Sequence, residues 1–165
     1  MKRFIILLSL VFITQIQAQE LKILQGNNEF SGSAAVNQGA FGGELKMGTF
    51  LLDHLLLGGK ADYYDSDYYV RYSAGVYMNY LFETGSYWIP YVGAGLDLGA
   101  LEPVFLEKET GVEFELYFGL KYFLAPNVSL NTELKLGYSS ANTYLESNEY
   151  TDTDYHLGVG LSYYW

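Results

Sequence analysis

His54 and His156 are the only two histidines in the chain, and imidazole is the side chain that ordinarily exchanges a proton near neutral pH. Hydrolytic or transfer chemistry would need a serine within reach of one of them, with a carboxylate orienting the ring. His54 follows Asp53 and has no serine nearby, while His156 lies two residues after Asp154 and two before Gly158. Both read as structural histidines, and no catalytic residue is assigned. The segment Ser139 to Asp154 carries Glu146, Glu149, Asp152 and Asp154, and clustered carboxylates can bind Ca²⁺. Their spacing matches no calcium loop, so they read as the solvated charges of an exposed loop, and no metal ligand is assigned. Gly93-x-Gly95 is followed by Leu98 where a nucleotide-binding turn needs a third glycine, so that fingerprint fails too. No cofactor is expected.

The elements that carry these residues begin after a segment with a different purpose. Met1-Lys2-Arg3 is a short basic start, Phe4 to Ile13 is an apolar run, and the polar stretch Thr14 to Ala18 follows. The run is too short for a membrane helix, which needs roughly 20 apolar residues. Residues 1–18 therefore read as a secretory signal peptide, and residues 19–165 as one domain. Losing Lys2 and Arg3 leaves seven basic residues against 19 acidic ones, a net charge of −12. So acidic a chain is not expected to bind nucleic acid. With no cysteine to form a disulfide, stability in an oxidising compartment must come from elsewhere.

Seventeen tyrosines and eighteen glycines with only three prolines suit pleated strands better than helices. Alternation carries the hydrophobicity. In Tyr155 to Trp165 one face bears Tyr155, Leu157, Val159, Leu161, Tyr163 and Trp165, and the other His156, Gly158, Gly160, Ser162 and Tyr164. Successive strand side chains point to opposite faces, so this is a strand with one apolar and one small or polar face. The same rhythm runs through Val128 to Tyr138, Val112 to Tyr122, Trp88 to Leu98 and Tyr68 to Tyr80. Strands over Leu55 to Tyr64 and Phe41 to Thr49 are less regular, and around Phe30 to Val36 the alternation nearly fades. About eight strands of membrane-spanning length result. Connections near Leu52 to His54, Glu83 to Ser86 and Ala125 to Asn127 are short. The alternate set falls at Asn37 to Gly39, Asp65 to Asp67, Ala100 to Thr110 and Ser139 to Asp154, and contains the two longest.

The polar faces of these strands collect Glu44, Lys46, Lys60, Asp62, Arg71, Asp97, Glu113, Glu115, Lys121, Glu133 and Lys135, five cations against six carboxylates. A soluble barrel would show these charges to water, whereas a membrane barrel encloses them and turns its apolar face to lipid. Near balance is what an enclosed set needs, because buried charges must be paired. Gly75, Gly93, Gly95, Gly119, Gly137, Gly158 and Gly160 on the same face would leave room for long side chains from neighbouring strands. Aromatics at strand ends read as interfacial girdles: Tyr63, Tyr64, Tyr68, Tyr69, Tyr138 and Tyr155 at one end, and Tyr80, Phe82, Tyr87, Trp88, Tyr122, Phe123, Tyr163 and Trp165 at the other.

On the leader, the eight-strand rhythm and the last strand ending Leu157-x-Val159-x-Leu161-x-Tyr163-x-Trp165, the chain resembles the small OmpA/OmpX-like outer-membrane β-barrel domain proteins of Gram-negative bacteria. The resemblance spans residues 27–165. It implies an all-β fold, a single antiparallel up-and-down transmembrane barrel with short periplasmic turns and longer outer loops. It also implies that the alternating last strand is the signal read by the barrel-assembly machinery, with Trp165 where Phe is usual. Expected partners are outer-membrane lipid and lipopolysaccharide, and a monomer is expected. Lipid-modifying hydrolases share this scaffold, but their His-x-Ser pattern is broken here by Gly158. Two roles stay open: a structural or surface-interaction barrel with a filled lumen, and a narrow porin-like channel for small solutes. An enzyme is not expected.

Overall fold

A computed structural model describes residues 23–165 apart from 38–39, 105–106, 142–143 and 147–148; the leader, 1–18, lies outside the described residues. The strands are β1 (Asn28–Asn37), β2 (Ala40–Leu52), β3 (Leu55–Asp65), β4 (Tyr69–Leu81), β5 (Trp88–Pro103), β6 (Glu109–Ala125), β7 (Val128–Ser139), β8 (Tyr144–Glu146), β9 (Glu149–Thr151) and β10 (Thr153–Tyr164). Eight of them close into an antiparallel barrel in the order β1-β10-β7-β6-β5-β4-β3-β2, and β8 and β9 pair separately. Closure matters in lipid, because a free sheet edge there would leave its backbone groups without partners. Both ends of the barrel meet: Asn28 N donates to Trp165 O at 2.9 Å and Trp165 N to Asn28 O at 3.2 Å.

Orientation follows the alternation. The outward residues of β10 are exposed, Leu157 by 63%, whereas Lys135 beside them on β7 is 2% exposed and points into the lumen. Phe30, Leu45, Met47, Val76, Leu96, Phe114 and Leu134 are exposed in the same way. Carried around a closed ring, this gives an apolar exterior and an enclosed polar interior, the inverse of a soluble barrel.

Two features depart from the sequence-based expectation, and a third, the weakly patterned first strand, is as expected. The connection expected over Ala100 to Thr110 is mostly strand, because the ladder of β5 and β6 continues through Ala100↔Thr110 and Leu101↔Glu109. Backbone pairing needs no apolar alternation, so it runs past the point where the hydrophobic pattern stops. The segment Ser139 to Asp154 holds the small hairpin β8–β9, with Tyr144↔Thr151 and Glu146↔Glu149 in register. The faintly patterned first strand is a full member of the wall, paired to β2 from Asn28↔Thr49 to Asn37↔Ala40 and to β10 from Glu29↔Tyr164 to Ala35↔Gly158. Its run Ser31-Gly32-Ser33-Ala34-Ala35 shows weak alternation because small residues occupy both faces.

Candidate functional site

Where a lumen is only wide enough for side chains, its filling is the feature from which any function must start. Every one of the eleven charged residues assigned to the polar faces lies inside the barrel. Register alone would make this set unstable. Glu44↔Asp62 and Lys46↔Lys60 are directly opposite on β2 and β3, and Asp97↔Glu113 on β5 and β6, and like charges opposite one another across a ladder repel. The compensation comes from other walls of the barrel.

Lys135 of β7 reaches Glu44 at 2.7 Å, Asp62 at 2.9 Å and Glu115 at 3.5 Å. Lys46 of β2 bonds Glu133 of β7 at 2.7 Å and Glu44 at 2.6 Å, and Tyr91 donates its hydroxyl to the other oxygen of Glu133 at 2.7 Å. Lys60 sits amid Glu115, Asp97 at 2.7 Å and Asp62 at 3.4 Å. Toward the outer rim Arg71 pairs with Glu113 at 2.5 Å. Toward the periplasmic end Lys121 bonds Glu29 at 2.6 Å, and Ser162 donates to the same carboxylate at 2.8 Å. Aromatic rings line the stack, with the Lys46 ammonium 4.4 Å from the centroid of Tyr117, a favourable placement for a desolvated cation.

Glycines make these reaches possible. Gly75 stands between Lys60 and Asp97 in the ladder, and a Cβ there would strike the Asp97 carboxylate. The gap lets Lys60 and Asp97 meet over the intervening strand. Gly119 is opposite Tyr91 and is covered by its ring.

Sequence reasoning missed Glu29, which is 2% exposed, because it lies where the alternation of β1 is weakest. Added to the eleven, it gives seven carboxylates against five cations. Three of the carboxylates, Asp97, Glu113 and Glu115, bring oxygens within 4.8 Å of one another, and Lys60, Arg71 and Lys135 lie against them. Also missed was the apolar cluster of Phe50, Leu56, Leu81, Ile89 and Phe123 at the periplasmic end, joined by Tyr77, Tyr117 and Tyr164. Phe123 stacks on Tyr164 with ring centroids 5.1 Å apart, and Phe50 lies tilted to the same ring at 6.5 Å. Three girdle assignments are thereby corrected: Phe123, Tyr64 and Tyr69 face inward, because each has the parity of the lumen-facing positions of its strand. Tyr87 is half-buried against the same cluster. Tyr80 with Phe82, Trp88 with Tyr122, and Tyr163 with Trp165 do form an outward belt, at centroid distances of 5.1, 4.4 and 5.9 Å.

The histidines take positions at opposite ends. His54 occupies the β2–β3 turn with φ of 69° and lies 3.6 Å from Glu83 of the next turn. His156 is at the outer rim, its Nε2 3.1 Å from the Tyr64 hydroxyl and its Nδ1 3.4 Å from Asp154. Among the described residues the polar partners of the two rings are Tyr64, Asp154 and Glu83. Asp152 and Asp154 frame the last loop, and the side chains of Glu146 and Glu149 lie outside the described set. Leu157, Val159, Leu161, Tyr163 and Trp165 all face outward.

A closed eight-stranded antiparallel barrel with an apolar exterior, aromatic belts and an enclosed ionic interior is a transmembrane β-barrel. The chain belongs to the Outer membrane protein beta-barrel domain family, which it matches over residues 4–164, and it is an outer-membrane protein. Its fold is similar to that of the N-terminal β-barrel domain of Pseudomonas aeruginosa OprF, with a TM-score of 0.69 and 21% identity over 86% of this chain and 98% of that one. Neisserial surface protein A is similar at a TM-score of 0.61 and 19% identity, covering 83% and 94% of the two chains. The attachment invasion locus protein Ail of Yersinia pestis is similar at 0.51 and 15%, covering 86% and 100%. No curated protein sequence matches the chain.

Proposed function

We propose that the protein is a structural and surface-interaction barrel, non-enzymatic and non-conducting, whose outer loops are its contact surface. The observation that carries this reading is the cross-lumen ion-pair stack, in which Lys46, Lys60, Lys121 and Lys135 each bridge to carboxylates on other strands. Buried pairs of this kind are costly to open, since separating one leaves an uncompensated charge. A hydrated ion path through the stack would require several to separate together.

In this reading the exposed apolar wall and the Trp88–Tyr122 and Tyr163–Trp165 belts hold a monomer in the bilayer against lipid and lipopolysaccharide. Leu157, Val159, Leu161, Tyr163 and Trp165 present the assembly signal, and residues 1–18 direct export. Planar-bilayer recording on the purified protein tests the central point. Silence is expected, and reproducible unitary currents absent from a mock preparation would favour the narrow channel instead.

A further inference from the structure

Residues 23–27 precede the barrel and are not part of its wall. The chain turns at Gly26, whose φ of 88° lies in the left-handed region that side chains with a Cβ seldom adopt, and this sends the preceding residues back across the β2–β3 turn. Five hydrogen bonds hold them there: Gly26 N to Phe50 O at 2.8 Å, Phe50 N to Asn27 O at 2.9 Å and His54 N to Ile23 O at 3.1 Å, with Gln25 N to Asp53 Oδ1 and Gln25 Nε2 to Leu51 O, both at 2.9 Å. Ile23 is 4% exposed although it lies outside every strand, while its neighbour Leu24 is 40% exposed. Ile23 belongs to the apolar cluster of Phe50, Leu56, Leu81, Ile89 and Phe123 that fills the periplasmic end of the lumen.

Deeper in the lumen lies a polar cavity of about 20 Å³, whose lining includes Glu29, Ser31, Asn79 and Asn131, room for a single water. Glu29 Oε2 and Asn79 Oδ1 are buried there without a hydrogen-bond partner. Such groups gain strongly from hydration, so something must separate them from the aqueous periplasm if the lumen is to stay packed.

We propose that residues 23–27 are a strap that closes the periplasmic mouth of the barrel, with Ile23 as its anchor, and that undocking the strap admits water and small solutes to the lower lumen. The strap, with the apolar cluster that Ile23 completes, and the ion-pair stack are separate barriers in series. Access from the periplasmic side is therefore read by chemical labelling rather than by current, which the stack would block even with the mouth open.

The chain has no cysteine, so single substitutions label cleanly. In the full chain, purified and reconstituted, Ile23→Cys is expected to react with a membrane-impermeant maleimide at least about tenfold more slowly than Leu24→Cys. Ser31→Cys, a near-isosteric change at the cavity wall, is expected to react at least about tenfold faster when combined with Ile23→Asp, and at its original rate when combined with Ile23→Leu. Heat-modifiable migration establishes that each variant is folded. Equal rates for Ile23→Cys and Leu24→Cys would overturn the docked strap. A Ser31→Cys rate indifferent to Ile23→Asp would overturn its role as a closure, and neither result would touch the non-conducting reading.

Discussion

Replacing Lys135 by methionine removes a cation that serves three carboxylates while keeping much of the volume of its stem. Its ammonium lies 2.7, 2.9 and 3.5 Å from Glu44, Asp62 and Glu115. Each of these keeps other partners, Lys46 for Glu44 at 2.6 Å, Ser73 for Asp62 at 2.8 Å and Tyr117 for Glu115 at 2.6 Å, with the Lys60 ammonium beside all three. None is stripped completely, but the enclosed set moves further toward excess negative charge. Breaking a buried pair by removing one member costs about 3–5 kcal/mol, and that is the loss expected for Lys135→Met. Reversible guanidinium unfolding in lipid vesicles measures it, with Trp88 and Trp165 in the periplasmic-side belt as the fluorescence probes. Adding Asp62→Asn should recover part of the loss, with a coupling of about 0.5–3 kcal/mol in the double-mutant cycle. The deficit should also shrink as the pH is lowered, because a proton taken up by a freed carboxylate replaces the missing charge. Lys108→Met, which breaks the exposed pair with Glu102 at 2.8 Å, is the control and should change nothing measurable, as solvent-screened pairs contribute little. If Lys135→Met unfolded at the same guanidinium concentration as Lys108→Met, the claim that cross-lumen pairing holds the barrel together would fail.

Two further outcomes test orientation and packing. Val159→Lys places a charge on the lipid face of β10 and should destabilise the folded barrel by about 2–4 kcal/mol if the position lies near the bilayer midplane; an unchanged unfolding midpoint would mean that this face does not meet hydrocarbon. Gly75→Val fills the gap through which Lys60 and Asp97 meet, and should cost about 1–3 kcal/mol by overpacking. A Gly75→Val barrel as stable as the parent in the same unfolding assay would show that the gap is not needed.

Much of this architecture was legible in the chain because side-chain direction in a strand has a fixed period. Leu157, Val159 and Leu161 had to share one face and Glu133 and Lys135 another whatever the partners, and the composition of those faces pointed to lipid outside and charge inside. The same rule fails where residues on both faces are alike, as in Ser31 to Ala35, and there Glu29 was lost from the set. It fails again where an apolar side chain sits on the enclosed face: Phe50, Leu81 and Phe123 look like membrane residues one at a time, and only their parity within closed strands turns them into a plug. The sequence also could not say which charge meets which, since adjacent strands bring Glu44 opposite Asp62 and Lys46 opposite Lys60. Closure of the ring decided that, by carrying Glu133 and Lys135 on β7 across the lumen to β2 and β3. Periodicity is a property of one strand, while neutralisation inside a barrel is a property of strands that face each other without touching through their backbones.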